Sequence, residues 1–401
     1  MRAKSIAGTL VIACGLFTAA GAFGADSVRL GAVYPLTGRF AVAGQDCKNG
    51  AQLAVDQINA AGGIKSMGGA KLDLVVGDSQ SKPINAVGEA ERLITQENVA
   101  LVMGSATSSE SIPMTQVTEK HGIPAIDTIA QSESITGRGF KWVVSSTIVD
   151  ADYAGGLMRG LDIVRKLDPA LKRVAVIRPD NDYGIQMGAL LAEDFKKRKD
   201  VDLLGIVEYS SKAPDLTPAV LKVKAMKPQV LIQVGYFRDG VRLAKTYEQL
   251  DMHPILIGTG GASADPKLKT EIGNLVEGQI AVTPFSDDRP VVRPVAEAYK
   301  AKFHEPLTLN SALGYQGVLV AAAALEKAES AKPAAIRKAL GEIKLQGKDV
   351  ITASDFIAFD ANGRNEGRNT VITQFQNGNL VTIGPESKAT AKPILKAFNT
   401  K

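Results

Sequence analysis

Residues 102–113, Val-Met-Gly-Ser-Ala-Thr-Ser-Ser-Glu-Ser-Ile-Pro, gather hydroxyls at Ser105, Thr107, Ser108 and Ser109 between an apolar run and a segment of helical spacing. The apolar run, Val99 to Met103, predicts a strand, and the segment from Ile112 to His121 predicts a helix. The first turn of a helix has unpaired backbone N–H groups and a partial positive charge, so it is a natural seat for an anion. Serine and threonine hydroxyls there add further donors. A single Ser or Thr acting as N-cap accounts for the same residues without any ligand, so the rest of the chain has to decide between the two.

Other chemistry-bearing residues are sparse. Tyr183 follows Asp180-Asn181-Asp182 at a strand-to-helix turn, where either Asn181 or Asp182 caps the helix and the ring packs, or the ring faces a ligand. His121, His253 and His304 are the only histidines, and they are too far apart for metal-ligand spacing. There is no Walker A run. Gly258-Thr259-Gly260-Gly261-Ala262-Ser263 grazes a dinucleotide fingerprint, but it lacks the final glycine and comes late, so it is a glycine-rich turn. Cys47 lies beside Asp46, which raises a thiol pKa instead of activating it. The residues therefore point to binding, with no catalytic constellation, no metal site and no cofactor.

The elements that position these residues alternate. Strands are predicted at Val28–Val33, Leu72–Val76, Val99–Met103, Ile123–Ile126 and Trp142–Val144, with helices at Ala41–Ala60, Ile84–Gln96 and Ile112–His121 between them. A second block repeats the pattern. Its helices are Tyr153–Leu167, Tyr183–Lys197, Thr217–Met226 and Gly240–Leu250, and its strands are Arg173–Ile177, Leu203–Val207, Val230–Val234 and Ile255–Ile257. Continuous apolar strands separated by amphipathic helices are the mark of α/β parallel sheets covered on both faces. The last third breaks the alternation: strand Gln279–Thr283, three helices (Val291–Phe303, Ser311–Ala328, Pro333–Leu340), then short strands at Asp355–Phe359 and a hairpin over Thr370–Ile383 turning at Asn377-Gly378. These helices have to pack back on an earlier sheet, so the chain crosses more than once between two lobes, which makes a hinge and a cleft.

The 401 residues, 45% hydrophobic and 22% charged, fit a two-lobed globular chain. Residues 1–25 read as an export signal: Arg2 and Lys4, then apolar Ile6–Phe17, then small residues to Ala25. Val11-Ile12-Ala13-Cys14 also resembles a lipoprotein signal, but the residues after Cys14 stay apolar, which favours ordinary cleavage and periplasmic release. Removing residues 1–25 takes away Arg2 and Lys4 and no acid, so the net charge falls from +5 to +3, too mild a charge to argue for nucleic acid. Cys47 is then the only cysteine, and no internal disulfide is expected.

Gly31-Ala32-Val33-Tyr34-Pro35-Leu36-Thr37-Gly38, then Gly44, Asn49-Gly50 and Asp56-Gln57-Ile58-Asn59-Ala60-Ala61-Gly62-Gly63-Ile64, resemble the opening of type I periplasmic solute-binding proteins. Gly104 with its serine-rich turn, Gly122-Ile123-Pro124, Ile135-Thr136-Gly137-Arg138-Gly139-Phe140 and Asp182-Tyr183-Gly184 continue the match in order. By pattern the chain is similar to the leucine/isoleucine/valine-binding proteins of ABC importers. The resemblance implies two Rossmann-like lobes with parallel sheets joined by three hinge segments, closing on a small molecule. Lobe one would be 26–145 plus 284–345, and lobe two 146–283 plus 346–401. The implied partner is a membrane permease of an ABC transporter, and the expected state is a monomer.

Carried over position by position, the resemblance implies that Ser108 binds a ligand carboxylate with Ser109 beside it. It makes Ile129, Ala130 and Gln131 a second contact loop, and Tyr183 and Tyr236 or Phe237 aromatic walls. Two departures bear on the ligand. The acidic residue that pairs with an amino-acid ammonium falls on Gly260, and the family's threonine in the contact loop is Gln131. A desolvated ammonium without a carboxylate costs about 3–5 kcal/mol. Unless Asp127 or Asp239 substitutes, the expected ligand is a small organic acid or amide, with Arg39 available for a bidentate carboxylate contact; an amino acid is the alternative.

Overall fold

Residues 27–400 are described in the computed structural model of the chain; the expected leader 1–25, with Cys14, lies outside them. Two sheets organise the molecule. The first contains β1 (Val28–Tyr34), β2 (Leu72–Asp78), β3 (Leu101–Gly104), β4 (Ala125–Asp127) and β5 (Val143–Ser145), all parallel, in the order β2-β1-β3-β4-β5. Helices α1 (Ala41–Ala60), α2 (Pro83–Thr95) and α3 (Ser108–His121) connect them.

After α4 (Asp150–Leu167), the second lobe repeats this plan with β6 (Arg173–Pro179), α5 (Asp182–Lys196), β7 (Asp202–Tyr209), α6 (Thr217–Met226), β8 (Val230–Gln233), α7 (Phe237–Gln249), β9 (Ile255–Thr259), short α8 (Gly260–Ser263), α9 (Leu268–Ile272) and β10 (Ile280–Thr283). Strands β7-β6-β8-β9-β10 lie side by side in parallel, the same second-first-third-fourth-fifth order as in the first sheet. Each sheet therefore reverses its order beside its first strand, and such a reversal opens a crevice at the carboxyl ends of the strands. The central strands of both sheets are buried along most of their length, which is why they read as unbroken apolar runs, whereas the outer strands β2 and β7 are mostly half-buried.

The second sheet is mixed. β11 (Val371–Gln376) adds antiparallel to β10, and β12 (Asn379–Gly384) pairs with β11 through a two-residue turn. Asn377 and Gly378 both have positive φ, 53° and 77°, the backbone an Asn-Gly hairpin turn requires.

Helices α10 (Arg293–Phe303), α11 (Leu309–Ala328) and α12 (Pro333–Leu340) return to the first lobe. α11 crosses α1 at backbone contact: a Cβ on Gly50 would fall 1.8 Å from the Ser311 carbonyl, and one on Gly314 would fall 2.3 Å from that of Cys47. Only glycine lets two helices approach so closely.

The return to lobe two comes later than the expected boundary at 346. Val350, Ile351, Ile357 and Phe359 are buried in the first lobe's core, and the second lobe's core resumes with Ile372. The expected strand at 355–359 forms only isolated bridges, Leu345 with Ile357 and Phe359 with Asn365. An apolar segment held by single bridges has no period of its own, so its side of the hinge was illegible in the sequence. α3 also begins at Ser108, not Ile112; its buried residues are Ser108, Glu110, Ser111, Met114, Thr115 and Thr118, and the polar ones at its start carry no hydrophobic period from which that turn could be read.

Candidate functional site

The carboxyl ends of the two sheets face each other, and the space between them is lined by Ala106, Thr107, Ser108, Ile129, Ala130 and Gln131 from lobe one, with Leu309 and Asn310 at the start of α11. Tyr153, Tyr183, Gly235, Tyr236 and Gly261 complete it from lobe two. The cavity has a volume of about 50 Å³, well below the roughly 300–1,000 Å³ of ligand pockets, so the two lobes stand close together around it.

The start of α3 is built to leave its first turn unsatisfied. Thr107, extended at φ −135° and ψ 148°, precedes the helix but does not cap it. Its hydroxyl donates instead to Glu110 Oε2 at 2.8 Å, and Ser105 donates to the same oxygen at 3.0 Å. Ser79 donates to Glu110 Oε1 at 2.6 Å. Three hydroxyls are thus spent on one buried carboxylate, and the first-turn N–H groups at Ser108 and Ser109 are left for an acceptor from elsewhere. No lysine, arginine or histidine lines the cavity, so an anion there is met by N–H groups and hydroxyls.

The expected site residues divide. Ser108, Ile129, Ala130, Gln131, Tyr183 and Tyr236 all line the cavity. Ser109 does not: its hydroxyl donates across the cleft to Asp182 Oδ2 at 2.6 Å. Arg39 is also withdrawn. It donates to both oxygens of Asp239, which also accepts from Arg242 at 2.7 Å. An arginine with a fully buried carboxylate partner is not free to take a ligand carboxylate. Phe237 belongs to a separate cavity at the cleft mouth, with Arg39, Val42 and Arg238. It packs against a different core cluster from its neighbour Tyr236, whose ring centroid is 5.6 Å from that of Tyr183.

Gly260 is buried and does not line the cavity, whereas Gly261 does. A Cβ at 260 would meet the Tyr153 hydroxyl at 2.9 Å, Leu309 at 3.0 Å and Thr283 Oγ1 at 3.1 Å. Tyr153 thus occupies the space a side chain at 260 would use. Neither expected substitute acid is free: Asp127 is fully buried, accepting from Ser111 at 3.3 Å and Ser145 at 3.0 Å, and Asp239 is engaged by the two arginines. Burial pushes the Asp127 carboxyl well up.

Tyr153, Asn310 and Leu309 escaped the sequence reading; Thr107 was one of its clustered hydroxyls, and its side chain goes to Glu110. Tyr153 carried the one available signal, an aromatic in the first turn of the helix that opens the second lobe, the position Tyr183 holds in α5. Burial pushes the hydroxyls of Tyr153 and Tyr183 upward, keeping both as neutral donors.

Among the described residues no cluster of His, Cys, Asp or Glu is arranged to hold a metal ion, and no helix is long and apolar enough to cross a membrane. Comparison with known proteins gives a consistent picture. The family model "Periplasmic binding protein" matches residues 27–379. Leu/Ile/Val-binding protein homolog 7 of Brucella abortus is 31% identical over 376 residues, covering 90% of this chain and 92% of its own. The fold is shared with the branched-chain amino acid transporter substrate binding protein LivJ of Streptococcus pneumoniae, solved with isoleucine (TM-score 0.76, 22% identity, 88% of this chain and 98% of that one). It is shared also with a solute binding protein of Rhodopseudomonas palustris solved with benzoate (TM-score 0.79, 17% identity, 92% and 98%).

Proposed function

Since this chain belongs to the type I periplasmic binding protein family, whose members and structural neighbours are substrate-binding proteins and not enzymes, we propose that it is the extracytoplasmic solute-binding component of an ABC importer. It captures a small carboxylate- or amide-bearing molecule in the interlobe cleft by hinge closure and passes it to a membrane permease. The observation that carries this reading is the uncapped start of α3, with Ser108 on the wall of a cavity free of basic side chains. The carboxylate takes the N–H groups and hydroxyl at Ser108; Tyr183, Tyr236 and Tyr153 enclose the rest.

Neighbours of this fold have been solved with isoleucine and with benzoate, so a carboxylate is common to ligands of different classes. The residues here that separate those classes are Gly260, which removes an acid, and Gln131. We infer a periplasmic monomer released by cleavage near residue 25. Mass spectrometry of small molecules that co-purify with the chain, followed by calorimetry, tests the ligand class: a carboxylate or amide supports the reading, and a ligand with neither group overturns it. Deleting the gene should abolish uptake of that ligand. Unchanged uptake would instead favour a periplasmic sensor.

A further inference from the structure

The separate cavity at the cleft mouth has a volume of about 650 Å³, within the roughly 300–1,000 Å³ of ligand pockets. It shares no lining residue with the cavity at Ser108. Four cations line it: Arg39 from lobe one, and Lys212, Arg238 and Arg242 from lobe two. Apolar Val42, Phe237 and Val241 share the wall with them, and Glu271 is its one acid.

The protein does not use all of this charge. Asp239, fully buried, pairs with both Arg39 and Arg242 and so offsets only one of them. Lys212 and Arg238 are exposed, and neither takes part in a salt bridge among the described residues. With four cations against Asp239 and Glu271, two positive charges are left over. Their placement is unfavourable as it stands. Arg238 and Arg242 are one turn apart on α7, where like charges repel. Arg238 also lies in the first turn of that helix, at the positive end of its dipole. Arg242 donates to the Ala213 carbonyl and to Asp239, yet its Nε is buried with no partner. Arg39 spends only Nη2 on Asp239, which leaves its Nε and Nη1 donors without a partner among the described residues.

An anion in this cavity relieves the repulsion, suits the helix start and supplies acceptors to the unpartnered donors. We propose that the mouth cavity is a second binding site, separate from the seat at Ser108, for a small organic dianion with an apolar body. Its acidic groups pair with the cations, and its two charges match the two left over. Its apolar body covers Val42, Phe237 and Val241, which a hydrated inorganic anion leaves bare. Arg39 and Val42 belong to lobe one and the other lining residues to lobe two, so the bound dianion bridges the cleft and favours closure. The site does not depend on what Ser108 binds.

Calorimetry on a chain beginning at residue 26 tests this with naphthalene-2,6-dicarboxylate, a probe too large for the cavity of about 50 Å³ at Ser108. 2,6-Dihydroxynaphthalene controls for the apolar body and inorganic phosphate for the charge. The dicarboxylate should bind one to one, at least about tenfold more tightly than either control. Lys212→Ser combined with Arg238→Ser removes two exposed cations, each contributing a few-fold to affinity, so binding should weaken roughly tenfold. Ser108→Ala should leave it unchanged. Adding the dicarboxylate should also compact the chain in small-angle scattering. No binding, equal binding of either control, or unchanged affinity in the double variant overturns the site and leaves the Ser108 reading standing. Loss of binding in Ser108→Ala overturns it as well, because the probe then occupies the inner cavity. Binding without compaction overturns the bridging and confines the site to lobe two. If the double variant does not fold, Lys212→Ser alone is read in its place, with a loss of about threefold expected and an unchanged affinity overturning the site.

Discussion

Arg39 in the first lobe donates through Nη2 to both carboxylate oxygens of Asp239 in the second, at 3.0 and 3.3 Å, and so ties the two sides of the cleft together. The Arg39 guanidinium also lies 5.1 Å from the centroid of its neighbour Phe40, whose ring in turn packs 4.7 Å from that of Tyr236. One side of the tie thus reaches a wall of the ligand cavity. Ser109 with Asp182, and Lys267 with Asp46 and Glu305, make further ties across the same cleft.

Removing Arg39 should loosen closure without unfolding either lobe, because Asp239 keeps Arg242 and the Tyr236 N–H. A partly exposed pair whose acid remains partnered contributes about 1 kcal/mol, so Arg39→Ala should weaken ligand binding roughly fivefold. Small-angle scattering should show a more open ensemble. An unchanged affinity and scattering profile would count against the tie.

Ser108→Ala removes one hydroxyl from the anion seat and leaves the helix start intact. A hydrogen bond to a charged group contributes about 1.5–3 kcal/mol, so affinity for a carboxylate ligand should fall by roughly tenfold or more. The melting temperature of the ligand-free protein should not move. Calorimetry and a thermal melt read the two separately.

Gly260→Ala forces a methyl against the Tyr153 hydroxyl, Leu309 and Thr283. Overpacking of this kind costs about 1–3 kcal/mol. Deleting the hydroxyl with Tyr153→Phe in the same chain should recover part of the loss. Strict additivity of the two substitutions in denaturant unfolding would show that they do not touch.

Buried carboxyls, Asp150 and Asp265 among them, contribute to the pH dependence. Burial raises Asp150 to about 8 and Asp265 to about 7, with Glu133 and Asp46 respectively adding to it. Both values lie above the unfolded value near 3.9, so the folded state holds protons the unfolded state has released. Their contribution to stability is therefore full below about pH 4 and lost as pH rises through 7 and 8. Unfolding at pH 5, 6.5 and 8 should show wild-type stability falling more steeply than that of Asp265→Asn. A parallel fall would mean that Asp265 is already ionised in the native protein.

Cys47 is fully buried at the α1–α11 crossing, and burial first, then Asp46, holds its thiol well above the usual range. A chain beginning at residue 26 should leave a thiol reagent unconsumed under native conditions and consume one equivalent when denatured. Rapid native labelling would show that the crossing opens.

The alternation of apolar strands with amphipathic helices was enough to read two α/β blocks, because strands covered on both faces leave unbroken apolar runs in the sequence. The Asn377-Gly378 hairpin was legible for a different reason: its backbone requirement falls on two residues that meet it readily. The start of α3 was legible as chemistry but not as geometry. Its serines announced donors, yet the same serines hid four residues of helix.

Contacts across the cleft left no mark in the sequence. Arg39 and Asp239 stand 200 residues apart, and nothing in the spacing of either says that one would consume the other. That pairing withdrew Arg39 and closed off one substitute acid, just as Ser111 and Ser145 closed off the other at Asp127. Tyr153 came to the cavity only because α4 starts beside Gln131, whose carbonyl accepts from the Asp150 N–H. Local periodicity, set by which faces are buried, determined the elements, and the clustered hydroxyls marked the start of α3 as the seat we propose for an anion. The packing of two lobes against each other decided which charges remain unpaired around that seat, since a charge is spent or free only once its spatial neighbours are known.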